Sequence, residues 1–119
     1  MKRAEELLRK YPSLANVPVA VVGGKPVTLK ELVEMARSGN EEALGAVEKL
    51  GIDPEEDELK ELAKEFWMRS LPEGVRVHIL GYGSLTKDEV IRNIERGTEV
   101  GKKFIDMYMK FIRRLSKLA

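Results

Sequence analysis

The chain has 119 residues, 43% of them hydrophobic and 34% charged, with a formal net charge of +1. That is enough apolar material for one core, so a single domain spanning 1–119 is expected and a disordered polyelectrolyte is excluded. With no cysteine and one histidine, disulfides and thiol chemistry are excluded, and zinc would lack its preferred ligands, so neither a metal nor a cofactor is expected.

Glutamine is absent as well, and Glu, Lys and Arg supply most of the polar surface, a bias shared by proteins of thermophilic source and by computationally designed sequences. The first fifteen residues mix acids and bases with leucines and contain no continuous apolar run. Neither a signal peptide nor a membrane span is read there, so a cytoplasmic location and no membrane partner are expected.

In chain order, residues 4–10 read as a short amphipathic helix ended by Tyr11 and Pro12, because the residue before proline is pushed out of the helical region. Residues 17–22, VPVAVV, are β-branched and read as a strand, with Pro18 marking an edge or a strand start. Gly23 and Gly24 make a turn, and residues 25–27 return as a brief second strand. Thr28 and Glu31 then form a capping box for a helix to Ser38, Gly39 closes it, and Asn40 caps a helix over 41–50 that Gly51 stops. Asp53 is read as the cap of a third helix with Pro54 at its first position, running to about Leu71.

After Pro72 and Gly74, Val75, Val77 and Ile79 alternate with Arg76 and His78 as a half-buried strand requires, and this strand is expected to pair with residues 17–22. Thr86 and Glu89 are a second capping box. From there Ile91, Ile94, Thr98, Gly101, Ile105, Tyr108, Ile112 and Leu115 recur at steps of three and four, widened by Val90, Gly97, Phe104, Phe111 and Leu118. Gly97 and Thr98 can close one helix and cap another, so a break is expected there. No internal repeat and no low-complexity tract is read. The fold class that follows is a helix-rich α+β domain with a small sheet of two or three strands and a long, broken C-terminal helix.

The stretch HILGYGSLT, residues 78–86, invites a functional label because glycines and a serine stand between a strand and a helix. It lacks the lysine of a phosphate loop and the third glycine of a dinucleotide fingerprint. GYGSL, residues 81–85, resembles the glycine-tyrosine-glycine-serine-leucine turn of the gamma-glutamyl cyclotransferase-like enzymes, whose amides hold a glutamyl group. That resemblance would imply a large mixed barrel and a later catalytic glutamate, whereas only helix-forming sequence follows Thr86, so neither fold nor activity carries over. The helix pair over 29–38 and 41–50 has the spacing of a helix-turn-helix, but Glu41, Glu42 and Glu48 against Lys49 would repel phosphate.

Charge is sorted along the chain: acids dominate residues 51–74, and the end is basic. Both clusters are first explained by helix electrostatics, which favour carboxylates at helix starts and cations at helix ends. No catalytic residue is assigned. The function read from these features is a non-enzymatic binding or assembly module. It would form a homo-oligomer, or meet a protein partner, through Phe104, Ile105, Tyr108, Met109, Phe111, Ile112 and Leu115. The first alternative is single-strand or non-specific nucleic-acid binding on Lys102, Lys103, Lys110, Arg113, Arg114 and Lys117, with Tyr82, Tyr108 or Phe111 stacking on bases. The second is a small-molecule site or enzyme at the turn 78–86, using His78, Tyr82, Gly83 and Ser84.

Overall fold

Two capping boxes set the frame of the chain. The Thr28 hydroxyl accepts from the Glu31 amide at 3.2 Å while the Glu31 carboxylate accepts from the Thr28 amide at 3.0 Å. Thr86 and Glu89 repeat both bonds at 3.2 and 3.1 Å. Each box fixes a helix start immediately after a β-hairpin. The computed structural model describes residues 1–52 and 54–118.

The elements are α1 (Lys2–Lys10), a 3-10 turn (Pro12–Asn16), β1 (Pro18–Val22), β2 (Lys25–Thr28), α2 (Leu29–Arg37), α3 (Glu41–Glu48), α4 (Glu56–Ser70), β3 (Arg76–Ile79), β4 (Gly83–Thr86), α5 (Lys87–Arg96) and α6 (Glu99–Leu118). The helix-rich α+β class is as expected, and so is the break before the last helix, where Gly97 takes a left-handed φ of 69°. No helix among the described residues is long and apolar enough to cross a membrane.

Two expectations are corrected. First, β3 does not pair with β1: the strands form two separate antiparallel hairpins, β1 with β2 and β3 with β4. Each strand instead takes its chain neighbour across a tight glycine turn, where little loop entropy opposes closure. Second, the chain does contain a repeat. Displaced by 58 residues, Pro18 falls on Arg76, Thr28 on Thr86, Leu29 on Lys87 and Glu41 on Glu99, which are the starts or ends of matching elements. Over residues 17–44 and 75–102 the identities are Val17/Val75, Val19/Val77, Gly23/Gly81, Thr28/Thr86, Glu31/Glu89, Gly39/Gly97 and Glu41/Glu99.

The repeat escapes a reading by hydrophobic pattern because the identical residues are mostly those that backbone geometry demands. Gly23 and Gly81 have φ of 61° and 88° at hairpin turns, and Gly39 and Gly97 have φ of 91° and 69° at helix ends. α1 packs on α2 as α4 packs on α5, so each half is a helix, a hairpin and two helices. The halves differ in how one residue is placed. In the first hairpin Val22 faces Lys25 across a two-residue turn, and a bulge falls between Pro18 and Ala20. In the second, Ile79 faces Gly83 across a three-residue turn and the ladder is regular.

A smaller correction concerns α4, which begins at Glu56 with Glu55 at its N-cap and no side-chain cap bond. Pro54 precedes the helix rather than opening it, and the expected Asp53 cap lies outside the described residues.

One contiguous core joins the halves. Its centre is an aromatic seam between α4 and α6: Trp67 meets Phe104 edge-on with centroids 5.1 Å apart, and Phe66 lies 5.3 Å from Tyr108 and 5.6 Å from Phe111. The Trp67 indole donates to the Phe104 carbonyl at 3.0 Å, and the buried Tyr108 hydroxyl donates to the Pro18 carbonyl at 2.8 Å. Burial raises the Tyr108 phenol above its ordinary pKa, so it remains a donor.

The α5–α6 corner is the tightest backbone approach. Thr98 caps α6 by accepting from the Gly101 amide at 3.1 Å and donates to the Asn93 side chain at 2.7 Å. A Cβ on Gly101 would collide with the Asn93 carbonyl and lie 2.8 Å from the Ile94 nitrogen. Gly101→Ala is therefore expected to push the two helices apart and cost about 1–3 kcal/mol, read as a lowered Tm.

The capping boxes also give a pH dependence. Backbone and side-chain hydrogen bonds from Thr28 hold the Glu31 carboxyl below its ordinary 4.5, and Thr86 does the same for Glu89. A carboxylate whose folded pKa is depressed adds stability that is present above the unfolded value and lost as pH falls through the folded one. Unfolding midpoints should accordingly drop as pH falls from about 4.5 downward, and drop less steeply in a Glu31→Gln, Glu89→Gln variant.

Candidate functional site

The stretch 78–86 is a hairpin rather than a strand, loop and helix entry. Gly81 and Gly83 take φ of 88° and 77° to make its turn, and the Tyr82 amide donates to the Ile79 carbonyl at 2.9 Å. The amides of Thr86 and Glu89 are already bonded within the capping box, with the Glu89 carboxylate standing where an anion would sit. The start of α5 is thus filled by its own acid.

The register places His78 directly opposite Ser84, but no hydrogen bond is formed between them, and the buried Ser84 Oγ has no partner. Asp88 is exposed in the first turn of α5 and bonds to neither residue. The geometry of an activated serine is not assembled in this hairpin. Tyr82 is 40% exposed, and its hydroxyl donates to Glu99 at 3.0 Å. That hydrogen bond, followed by burial and the carboxylate's charge, raises its pKa. Among the described residues no group of three or more His, Asp or Glu side chains could hold a metal ion.

The apolar stripe of α6 lies inside the chain. Phe104, Tyr108, Met109, Ile112 and Leu115 are buried, while Ile105 and Phe111 are half-buried against the same core. The stripe proposed as an interface is therefore occupied by α4 and the first half of the molecule. α6 lies on α4 and α5. At the far end Arg3 donates to the Leu115 carbonyl at 3.1 Å, a cation near a helix C-terminus.

The opposite side of α6 is basic. Lys102, Lys103, Lys110, Arg113, Arg114 and Lys117 are all exposed. At 3.6 residues per turn they fall within an arc of about 120° and extend about 22 Å along the axis, with Asp106 as the acid within the arc. The Lys103 ammonium stands 5.9 Å from the centre of the Tyr82 ring, so the hairpin tip adjoins the basic face. Of the three aromatic side chains named for stacking, Tyr108 is buried and Phe111 belongs to the seam, which leaves Tyr82.

Compared with protein-family models, curated proteins and solved structures, the chain matches none of them.

Position on α6 thus separates core from surface. Ile112 is 2% exposed and Met107 is 42% exposed. Ile112→Glu should abolish the cooperative thermal transition, since a truncation there alone costs about 2–5 kcal/mol and the carboxylate would be buried unpaired. Met107→Glu should leave stability within about 0.5 kcal/mol of the parent.

Proposed function

We propose that this chain is a non-enzymatic binding module whose ligand is nucleic acid, held through its phosphates by the basic face of α6. The observation that supports this reading is the distribution of those cations along the whole helix. Helix electrostatics place cations in the last turn, which accounts for Lys117. Lys102 and Lys103 stand in the opening turns, where the macrodipole disfavours them, and Lys110 stands mid-helix. Their common feature is a shared exposed face, and phosphate backbones are bound by such stripes without sequence preference. Tyr82 at one end of the stripe offers a ring for a base to stack on.

The net charge of +1 does not oppose this, because the acids lie mainly elsewhere: Glu56, Asp57 and Glu58 open α4, and Glu41 and Glu42 open α3. Single-strand affinity should fall with salt at a log–log slope of about −0.7 per phosphate neutralised, hence up to about −4 for the full stripe. Changing Lys110, Arg113 and Arg114 to Glu should weaken binding of a labelled single-stranded oligonucleotide at least tenfold and reduce the slope by about 2. Fluorescence anisotropy across a salt series measures both. Binding indifferent to salt, or unchanged in the triple variant, would remove this reading.

A further inference from the structure

The two hairpins share a plan but differ at their tips. The first turns through Gly23 and Gly24 and carries no side chain there. The second turns through Leu80, Gly81 and Tyr82, which puts two large side chains where the first hairpin has none. Neither is demanded by the fold. The left-handed conformations at this turn fall on Gly81 and Gly83, and the core uses neither side chain fully, since Leu80 is 99% and Tyr82 40% exposed.

The Tyr82 ring is nonetheless held in place. Its hydroxyl donates to Glu99 at 3.0 Å, and the Lys103 ammonium stands 5.9 Å from its centre. Both partners lie in the first two turns of α6, where Lys102 and Lys103 begin the basic stripe. The tip is thus tied to the end of that stripe, and a ring already positioned loses little freedom when a ligand arrives. In a duplex the flat faces of the bases are stacked on one another and only their edges line the grooves. In a single strand those faces are free to stack on an aromatic ring, whatever the base.

Resting on the reading of α6 as a phosphate-binding face, we propose that the tip of the second hairpin is the base-contacting part of the same site, which makes unpaired, single-stranded nucleic acid its ligand. Tyr82 takes one base on its ring, Leu80 packs against a neighbouring base, and Lys103 meets the phosphate beside them. The division of labour is physical: the α6 cations set the salt dependence, and the tip adds a contact that only a strand carrying exposed bases can make.

Fluorescence anisotropy at one salt concentration tests this with three labelled probes of equal length: a mixed-sequence single strand, an abasic sugar-phosphate chain and a duplex. The parent should bind the single strand at least about fivefold more tightly than the abasic chain, and more tightly than the duplex. Leu80→Ser with Tyr82→Ala should lose that advantage while its affinity for the abasic chain and its salt slope stay as in the parent. Tyr82→Phe, which keeps the ring and drops the bond to Glu99, should retain most of it. A parent that binds the single strand and the abasic chain equally, or the duplex best, would overturn the proposal and leave the phosphate-binding reading of α6 standing. So would a double variant that weakens on both single-stranded probes alike, since that marks the tip as merely structural. A parent that binds none of the three probes would remove both readings together.

Discussion

The architecture depends on α6 reaching back across the molecule. It has 20 residues where its counterpart α3 has 8, and the added turns carry Tyr108, Ile112 and Leu115 over the first half. There the Tyr108 hydroxyl meets the Pro18 carbonyl, a contact between residues 90 apart in sequence. Around it, all three phenylalanines and the one tryptophan close the seam with α4. Without this return the halves would share little more than the α4–β1 contact, and a 50-residue unit of this kind buries too little surface to be securely stable alone.

The same asymmetry explains which surfaces remain free. The two halves of one plan are not buried equally: β1 is packed by α2, α3 and α4, and β4 by α5. α4 is both the first helix of the second half and the cover of the first hairpin. Among the described residues no helix covers the second hairpin as α4 covers the first, and Leu80 at its turn is exposed.

Electrostatics follow the same division. A net charge of +1 is the sum of an acidic groove beside β1 and a basic face along α6, with helix dipoles accounting for part of each. The acids opening α3 and α4 sit where a macrodipole stabilises them, while the lysines opening α6 do not. A charge placed against its local preference is better evidence of a face than one the helix itself would favour.

What the sequence determined by itself was local: both capping boxes, the glycine after α2, the break at Gly97 and the hairpin at Gly23 were legible because each depends on backbone geometry within a few residues. The second hairpin carried the same signal, since Gly81 and Thr86 echo Gly23 and Thr28, but Tyr82 and Ser84 in place of Gly24 and Pro26 disguised it as a loop. Tertiary structure alone decided what each apolar stripe meets. Periodicity shows that α6 has a buried side without showing whether that side is covered by its own chain or by another, because the hydrophobic effect is non-directional. Strand pairing was open for a related reason: main-chain hydrogen-bonding groups do not by themselves name a partner strand, and the tight turns chose the partners.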